Sequence, residues 1–144
     1  MAGVDGKNLE RRNLMNEPSA LLNEALKAKN NYQTERAMSL LNFLVAQEPK
    51  NALAWLTLAD MVKSPNEKLD CLSHVLAIDP GNQAARQRFA DLLTLKVKKI
   101  YAGRKQIFKL KLMNWRIQKA HKDKSPDKLL AIQAYVLHIE NSII

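Results

Sequence analysis

Two stretches of the chain repeat each other at a distance of 31 residues, and this duplication constrains the fold more than any other feature. Residues 35–62 read ERAMSLLNFLVAQEPKNALAWLTLADMV, and residues 66–93 read NEKLDCLSHVLAIDPGNQAARQRFADLL. Apolar residues recur at i, i+3 and i+4 in both copies, which is typical of helices buried on one side. An acid-Pro-x-Asn turn divides each copy into two helices, because proline ends the first helix and asparagine caps the second. The repeat therefore predicts an all-α chain built from helix pairs.

The repeated unit resembles the tetratricopeptide repeat, a helix-turn-helix unit of about 34 residues. In the copy at residues 51–80, Trp55 stands at the tryptophan position of the family, Leu58-Ala59 at its Leu-Gly step and Pro80 at its closing proline. The copy departs from the family in its short inter-helix turn, KSPNEK. The resemblance covers roughly half of the chain.

This resemblance implies an all-α array of about two and a half repeats, whose helices stack as antiparallel neighbours. The array occupies residues 19–95, and an unmatched half repeat ends it. Five helices are predicted, at approximately residues 19–29, 34–47, 52–63, 66–78 and 82–102. The last repeat of such an array needs a polar outer side, because no further repeat covers it. An array this short therefore leaves an apolar stacking side that another segment must cover.

Residues 125–144 predict an amphipathic capping helix. Ser125 stands at the N-cap position and Pro126 at the first helical position. An apolar stripe follows at a/d spacing. It consists of Leu129, Ile132, Val136, Ile139 and Ile143. We expect this helix to cover either the exposed end of the array or the concave groove of the array itself.

The excess positive charge of the chain lies almost entirely in residues 96–124, which hold eleven Lys or Arg against Asp123 alone. Residues 1–95 hold eleven basic and eleven acidic side chains. Within the basic segment, residues 104–121 fit two structures. Apolar residues alternate with lysines there, as in a strand, yet Leu110, Met113 and Ile117 would share one side of a helix. In a helical chain we favour the helix.

Catalytic and metal-binding patterns are missing from the sequence. Cys71 is the single cysteine, so neither an internal disulfide nor a cysteine-rich metal site is expected. The three histidines have no acid or nucleophile at the spacing of a triad, and the four glycines form no phosphate-binding loop. We therefore expect no enzyme and no cofactor. No apolar stretch reaches the length of a signal peptide or a membrane span, so we expect a cytoplasmic protein.

The resemblance also implies a concave surface, formed by the first helix of each pair, that holds a peptide or helix of a partner protein. On this chain the peptide groove would consist of Leu22, Asn23, Leu26, Leu53, Leu56, Thr57 and Asp60. Relatives that grip a C-terminal carboxylate have Lys, Asn or Arg at several of these positions, and Leu26 and Asp60 depart from that pattern. The groove is thus predicted to be apolar and to suit a helix, either a partner's or this chain's own C-terminal stripe.

The basic segment has several interpretations. Its predicted basic surface consists of Lys98, Lys99, Arg104, Lys105, Lys109, Lys111, Arg116 and Lys119. These side chains would meet an acidic protein surface or the phosphates of a nucleic acid, with Tyr101, Phe108 or Trp115 free to stack on bases. The plainest interpretation is a solvated face. A membrane surface ranks last, because the apolar residues do not converge on one helical side.

The sequence thus predicts a non-catalytic adaptor or scaffold, an accessory subunit of a larger assembly, in which the basic segment docks on an acidic surface. The alternative is a non-specific nucleic-acid-binding protein that uses the basic surface of residues 96–124. The predicted organisation is an N-terminal segment (1–18) that is flexible or held by a partner, a repeat domain (19–95), the basic segment (96–124) and the capping helix (125–144).

Overall fold

The computed structural model describes residue 12 and residues 17–101 and 107–143. These residues are almost wholly α-helical and contain no strand, which confirms the all-α fold class. Within these described ranges the structure has seven helices: α1 (Pro18–Asn30), α2 (Thr34–Gln47), α3 (Ala52–Met61), α4 (Pro65–Ile78), α5 (Gln83–Tyr101), α6 (Ile107–Lys122) and α7 (Pro126–Ile143). Most of the N-terminal segment predicted for 1–18 lies outside the described residues.

Helices α1 to α5 begin and end within two residues of the predicted bounds. The two copies of the acid-Pro-x-Asn turn are built alike. Asn51 Oδ1 accepts a hydrogen bond from the Ala54 N–H at 3.0 Å, and Asn82 Oδ1 accepts one from the Ala85 N–H at 3.0 Å. Each asparagine thus satisfies one of the N–H groups that the start of a helix leaves without an intrahelical acceptor.

The chain divides into two compact units, Met1–Ser64 and Pro65–Ile144. In the first unit α1 packs on α2, and α2 packs on α3. Ala25 of α1 and Ala37 of α2 are completely buried, and small side chains of this kind let two helices approach closely. Two ion pairs tie the helices together at the surface. Arg36 on α2 pairs with Glu24 on α1 at 2.6 Å, and Lys29 on α1 pairs with Asp60 on α3.

The second unit is organised around α5, which packs on α4, α6 and α7, while α7 also packs on α6. Its core is apolar and fully enclosed. The core side chains include Phe89, Leu93 and Val97 of α5, Ile117 of α6, and Leu129 and Val136 of α7. The apolar stripe of the C-terminal helix is therefore covered by α5 and α6, its neighbours in the same unit. Ile132 and Ile139 of that stripe are only half-buried, and the side chain of Ile143 lies outside the described residues.

The segment that fitted either a strand or a helix forms α6. Met113 and Ile117 are buried and Leu110 is half-buried, as expected if these three share the core-facing side. Trp115 lies on the opposite side and is 57% exposed. The alternation of apolar residues with lysine reflects two helical sides, one facing the core and one facing outward.

Candidate interaction surfaces

The predicted peptide groove belongs to α1 and α3 of the first unit. Leu22 and Leu26 of α1 are half-buried, while Leu53 of α3 is 54% exposed. Leu56 is half-buried and Asn23 is exposed. These two helices therefore carry apolar side chains that remain accessible, as an apolar groove requires.

The remaining groove residues, Thr57 and Asp60, already have partners. Thr57 is buried, and its Oγ1 donates a hydrogen bond to the Leu53 carbonyl at 2.8 Å, so it offers little surface to a ligand. The Asp60 carboxylate lies 3.4 Å from Lys29 Nζ, which joins the last turn of α1 to the last turn of α3. This ion pair partly neutralises the only acidic side chain of the predicted groove.

The basic surface lies on α5 and α6 of the second unit. Six of its predicted residues are described, and all six are exposed: Lys98, Lys99, Lys109, Lys111, Arg116 and Lys119. None of the six forms an ion pair with a carboxylate in the described part of the chain. Arg104 and Lys105 lie outside the described residues. Because these charges are exposed and uncompensated, they remain available to an anionic partner.

Trp115 stands in the middle of these cations on the outer side of α6. Lys119 Nζ lies 5.0 Å from the centre of its ring, a cation–π arrangement that holds the indole in place. An open crevice of about 270 Å³ separates α6 from α7 beside this ring. Its lining combines three cations, Arg116, Lys119 and Lys128, with four apolar side chains, Trp115, Ala120, Ala131 and Ile132. A ligand with both an apolar group and a negative charge would match this lining.

Lys96 is the first residue of the basic segment, but it does not belong to the exposed basic surface. Its side chain is only 8% exposed, and its Nζ lies 2.7 Å from the Glu140 carboxylate. The sequence did not indicate this role for Glu140, because the apolar stripe predicted for the C-terminal helix ran through Ile139 and Ile143. The buried side of α7 runs instead through Leu129, Gln133 and Val136, and the half-buried Glu140 continues it. Their spacing of three and four residues is also helical, so the signal was present.

Arg86 is a second residue that sequence reasoning missed. It lies in the first turn of α5 and is 5% exposed, and its Nε has no hydrogen-bond partner in the part of the chain that the structure describes. Buried guanidinium groups in proteins are normally paired. The sequence did contain a signal for its burial. Arg86 lies 31 residues after Trp55, and it therefore occupies a position of the repeat that is apolar in the first copy.

The described residues hold no arrangement of three His, Cys, Asp or Glu side chains that could bind a metal ion. Cys71 is buried on α4, and burial raises the pKa of its thiol, with the nearby charges of Asp70 and Glu67 acting in the same direction. A raised pKa makes a thiol a poorer nucleophile. None of the described helices is both long and apolar enough to cross a membrane.

No protein-family model, curated protein or solved structure matches this chain. Its function must therefore be argued from its own surfaces.

Proposed function

We propose that this protein is a non-catalytic interaction module, an accessory subunit or adaptor that docks through its basic surface on an acidic surface of another protein. One observation carries the proposal. The exposed side of α6 presents lysine and arginine side chains around an exposed tryptophan and a crevice with a partly apolar lining. Complementary charge steers partners together and fixes their register. Tryptophan and arginine are also the side chains that most often anchor protein interfaces.

The crevice favours an acidic protein over a simple anion. Trp115, Ala131 and Ile132 offer apolar area that a hydrophobic side chain of the partner would cover. Acidic residues flanking that side chain would then meet Arg116 and Lys119. An amphipathic, acidic helix or peptide supplies both features in one element.

The peptide groove is proposed as a second contact. We infer a tetratricopeptide-like arrangement of α1 to α5 from the repeated turn, in which Asn51 and Asn82 cap their helices in the same way. In such an array α1 and α3 would line the concave side. Their accessible leucines, among them Leu26 and Leu53, suit an apolar helix face of the partner.

Single-stranded nucleic acid is the alternative partner of the basic surface. The exposed indole of Trp115 is the observation that favours it, because bases stack on aromatic rings that project from a cationic surface. Cations such as Lys111 and Lys119 would then bind phosphates without regard to sequence.

One titration compares the two partners. We would measure fluorescence anisotropy of a labelled acidic amphipathic peptide and of a labelled single-stranded RNA of mixed sequence, each at physiological and at higher salt. The variant replaces Lys111, Arg116 and Lys119 with glutamate. Its matched control replaces three exposed lysines of the first unit, Lys27, Lys50 and Lys63, with glutamate and so changes the net charge equally.

We expect the peptide to bind the native protein and the control variant alike, and its affinity for the α6 variant to fall at least roughly tenfold. Equal loss in both variants would mean that net charge alone drives binding, and the proposed docking surface would be rejected. Tighter binding of RNA than of peptide, with an affinity that falls steeply with salt, would replace the proposal with the nucleic-acid alternative.

A further inference from the structure

Arg86 is a buried cation whose Nε has no partner among the described residues. The residue is 5% exposed, its Nε is enclosed without a hydrogen bond, and no carboxylate in the described residues pairs with it. A buried charge in this state is unfavourable, so an enclosed guanidinium calls for a hydrogen-bonding partner. The guanidinium is therefore a candidate ligand for an anion.

The first copy of the repeat shows what occupies this position when no ligand is needed. Trp55, 31 residues before Arg86, donates a hydrogen bond from its indole Nε1 to the Pro49 carbonyl at 2.9 Å. The local backbone is the same in both copies, because Asn51 and Asn82 cap α3 and α5 alike. In the second copy an arginine replaces the tryptophan, and the Nε of that arginine makes no equivalent bond.

Arg86 lines an open crevice of about 530 Å³ at the start of α5, together with Pro80, Gly81, Gln83 and Lys124. The positive end of the α5 dipole adds to the charge of the two cations. The cap occupies the Ala85 N–H, which leaves the N–H groups of Gln83 and Ala84 without an intrahelical acceptor. Helix starts of this kind bind phosphate and sulfate through such N–H groups.

Lys124 holds its place by an unusual backbone conformation. Its φ is 52°, in the left-handed region where glycine is favoured at the end of a helix. Its N–H donates to the His121 carbonyl at 3.1 Å, and the Ser125 N–H donates to the Ala120 carbonyl at 3.0 Å. This pair of bonds ends α6 and fixes the lysine beside the crevice.

We propose that this crevice binds a phosphate group, with Arg86 as its principal ligand and Lys124 as the second. The guanidinium fork matches the oxygens of a phosphate, while lysine supplies a flexible point charge. The crevice has the volume of small-molecule sites in proteins, so it accommodates a phosphorylated metabolite as well as the free ion. This site is separate from the docking surface on α6, and its existence does not depend on that proposal.

The test uses the full-length protein with two probes, inorganic phosphate and phenyl phosphate, at constant ionic strength. Isothermal titration calorimetry gives the affinities, and amide NMR shifts locate the binding. The variants are Arg86→Met, which keeps an apolar stem in the buried position, and Lys124→Gln, which changes an exposed side chain. Arg88→Met removes an exposed arginine of the same helix that does not line the crevice, and it serves as the control.

We expect phosphate to perturb the amides of Gly81, Gln83 and Ala84, and its affinity to fall roughly ten- to hundredfold in Arg86→Met and several-fold in Lys124→Gln. Arg88→Met should bind as the native protein does. Tighter binding of phenyl phosphate than of phosphate would identify a phosphorylated small molecule as the ligand, and equal binding the free ion. Absence of binding, or unchanged affinity in both site variants, would overturn the proposal.

Discussion

Lys96 Nζ lies 2.7 Å from Glu140 Oε2, and the same ammonium donates a hydrogen bond to Asn66 Oδ1. This cluster joins the start of α4, the middle of α5 and the last turns of α7. The lysine is almost fully enclosed, whereas the glutamate side chain is 31% exposed. One cation of the basic segment thus serves to hold the second unit together.

Removing the acid should therefore destabilise this unit. We expect Glu140→Gln to lower the free energy of unfolding by about 2 kcal/mol, because it leaves a buried ammonium without its counter-charge. The partial exposure of Glu140 keeps the loss below that of a fully buried pair. Urea unfolding followed by Trp115 fluorescence measures this loss of stability. Trp55→Phe is included in every variant, because each unit carries one of the two tryptophans and only the signal of the second unit is wanted.

Lys128→Met supplies the control for this measurement. It removes the ion pair between Lys128 and Asp123, whose 3.7 Å separation and exposed side chains predict a change within about 0.5 kcal/mol. Similar losses in the two variants would show that the enclosed cluster contributes no more than a surface ion pair.

Tyr32 offers a stabilising substitution in the first unit. Its φ is 59°, and its side chain is 93% exposed, so it has the left-handed backbone of a helix C-terminus without packing in return. The Tyr32 N–H donates to the Lys29 carbonyl at 3.1 Å, and the Gln33 N–H donates to the Ala28 carbonyl at 2.9 Å. Because glycine adopts this conformation without strain, Tyr32→Gly should raise stability by about 0.5–1 kcal/mol.

The matched control is Asn31→Gly, one residue earlier, where φ is −88°. Glycine brings no relief at that position and increases the entropy of the unfolded chain, so stability should stay the same or fall. Thermal unfolding monitored by circular dichroism compares the two variants. A gain from Asn31→Gly equal to that from Tyr32→Gly would argue against the backbone explanation.

The repeated turn predicts comparable losses at Asn51 and Asn82, with the larger loss at Asn51, whose Nδ2 also donates to Glu48 Oε2 at 3.2 Å. Asn51→Ala and Asn82→Ala each remove a 3.0 Å cap, and each should cost about 1 kcal/mol. Asn82→Asp keeps the oxygen acceptor and adds a negative charge at the positive end of α5, so it should retain most of the stability. Chemical denaturation measures all three variants. A cost at one asparagine but not at the other would contradict the equivalence of the two turns.

Helix positions were predictable because their signals are local. Apolar spacing and cap residues such as Asn51 and Ser125 depend only on near neighbours in the chain, and the Lys128 N–H indeed donates to the Ser125 hydroxyl at 3.4 Å. The segment of α6 was harder, since its lysines and apolar residues alternate for a few positions as they do in a strand. Met113 and Ile117, the seventh and eleventh residues of α6, are both buried, as the helical interpretation requires.

The enclosed charges were not predictable by the same reasoning. Patterns treat Lys96, Glu140 and Arg86 as surface residues, because charged side chains are seldom buried. The enclosure of Lys96, for example, comes with an ion pair to Glu140, which lies 44 positions away on another helix. A hydrophobic stripe therefore locates the side of a helix that packs, but it misses a charge that lies within that side.

The thiol of Cys71 provides a test that depends on pH. Burial raises its pKa above the ordinary value, and the negative charges of Asp70 and Glu67 raise it further. The folded protein therefore retains the proton at a pH where the unfolded chain loses it. This contribution to stability is complete below the ordinary thiol pKa and is lost as the pH rises through the higher pKa of the folded state. Between these two values, native protein should lose more unfolding free energy than Cys71→Ala, as measured by urea titrations at each pH.

The reactivity of the Cys71 thiol gives a second test. At pH 8 the thiol should react with a disulfide reagent far more slowly in the folded protein than in urea, because it is buried and protonated there. Equal rates in the two conditions would place Cys71 at the surface.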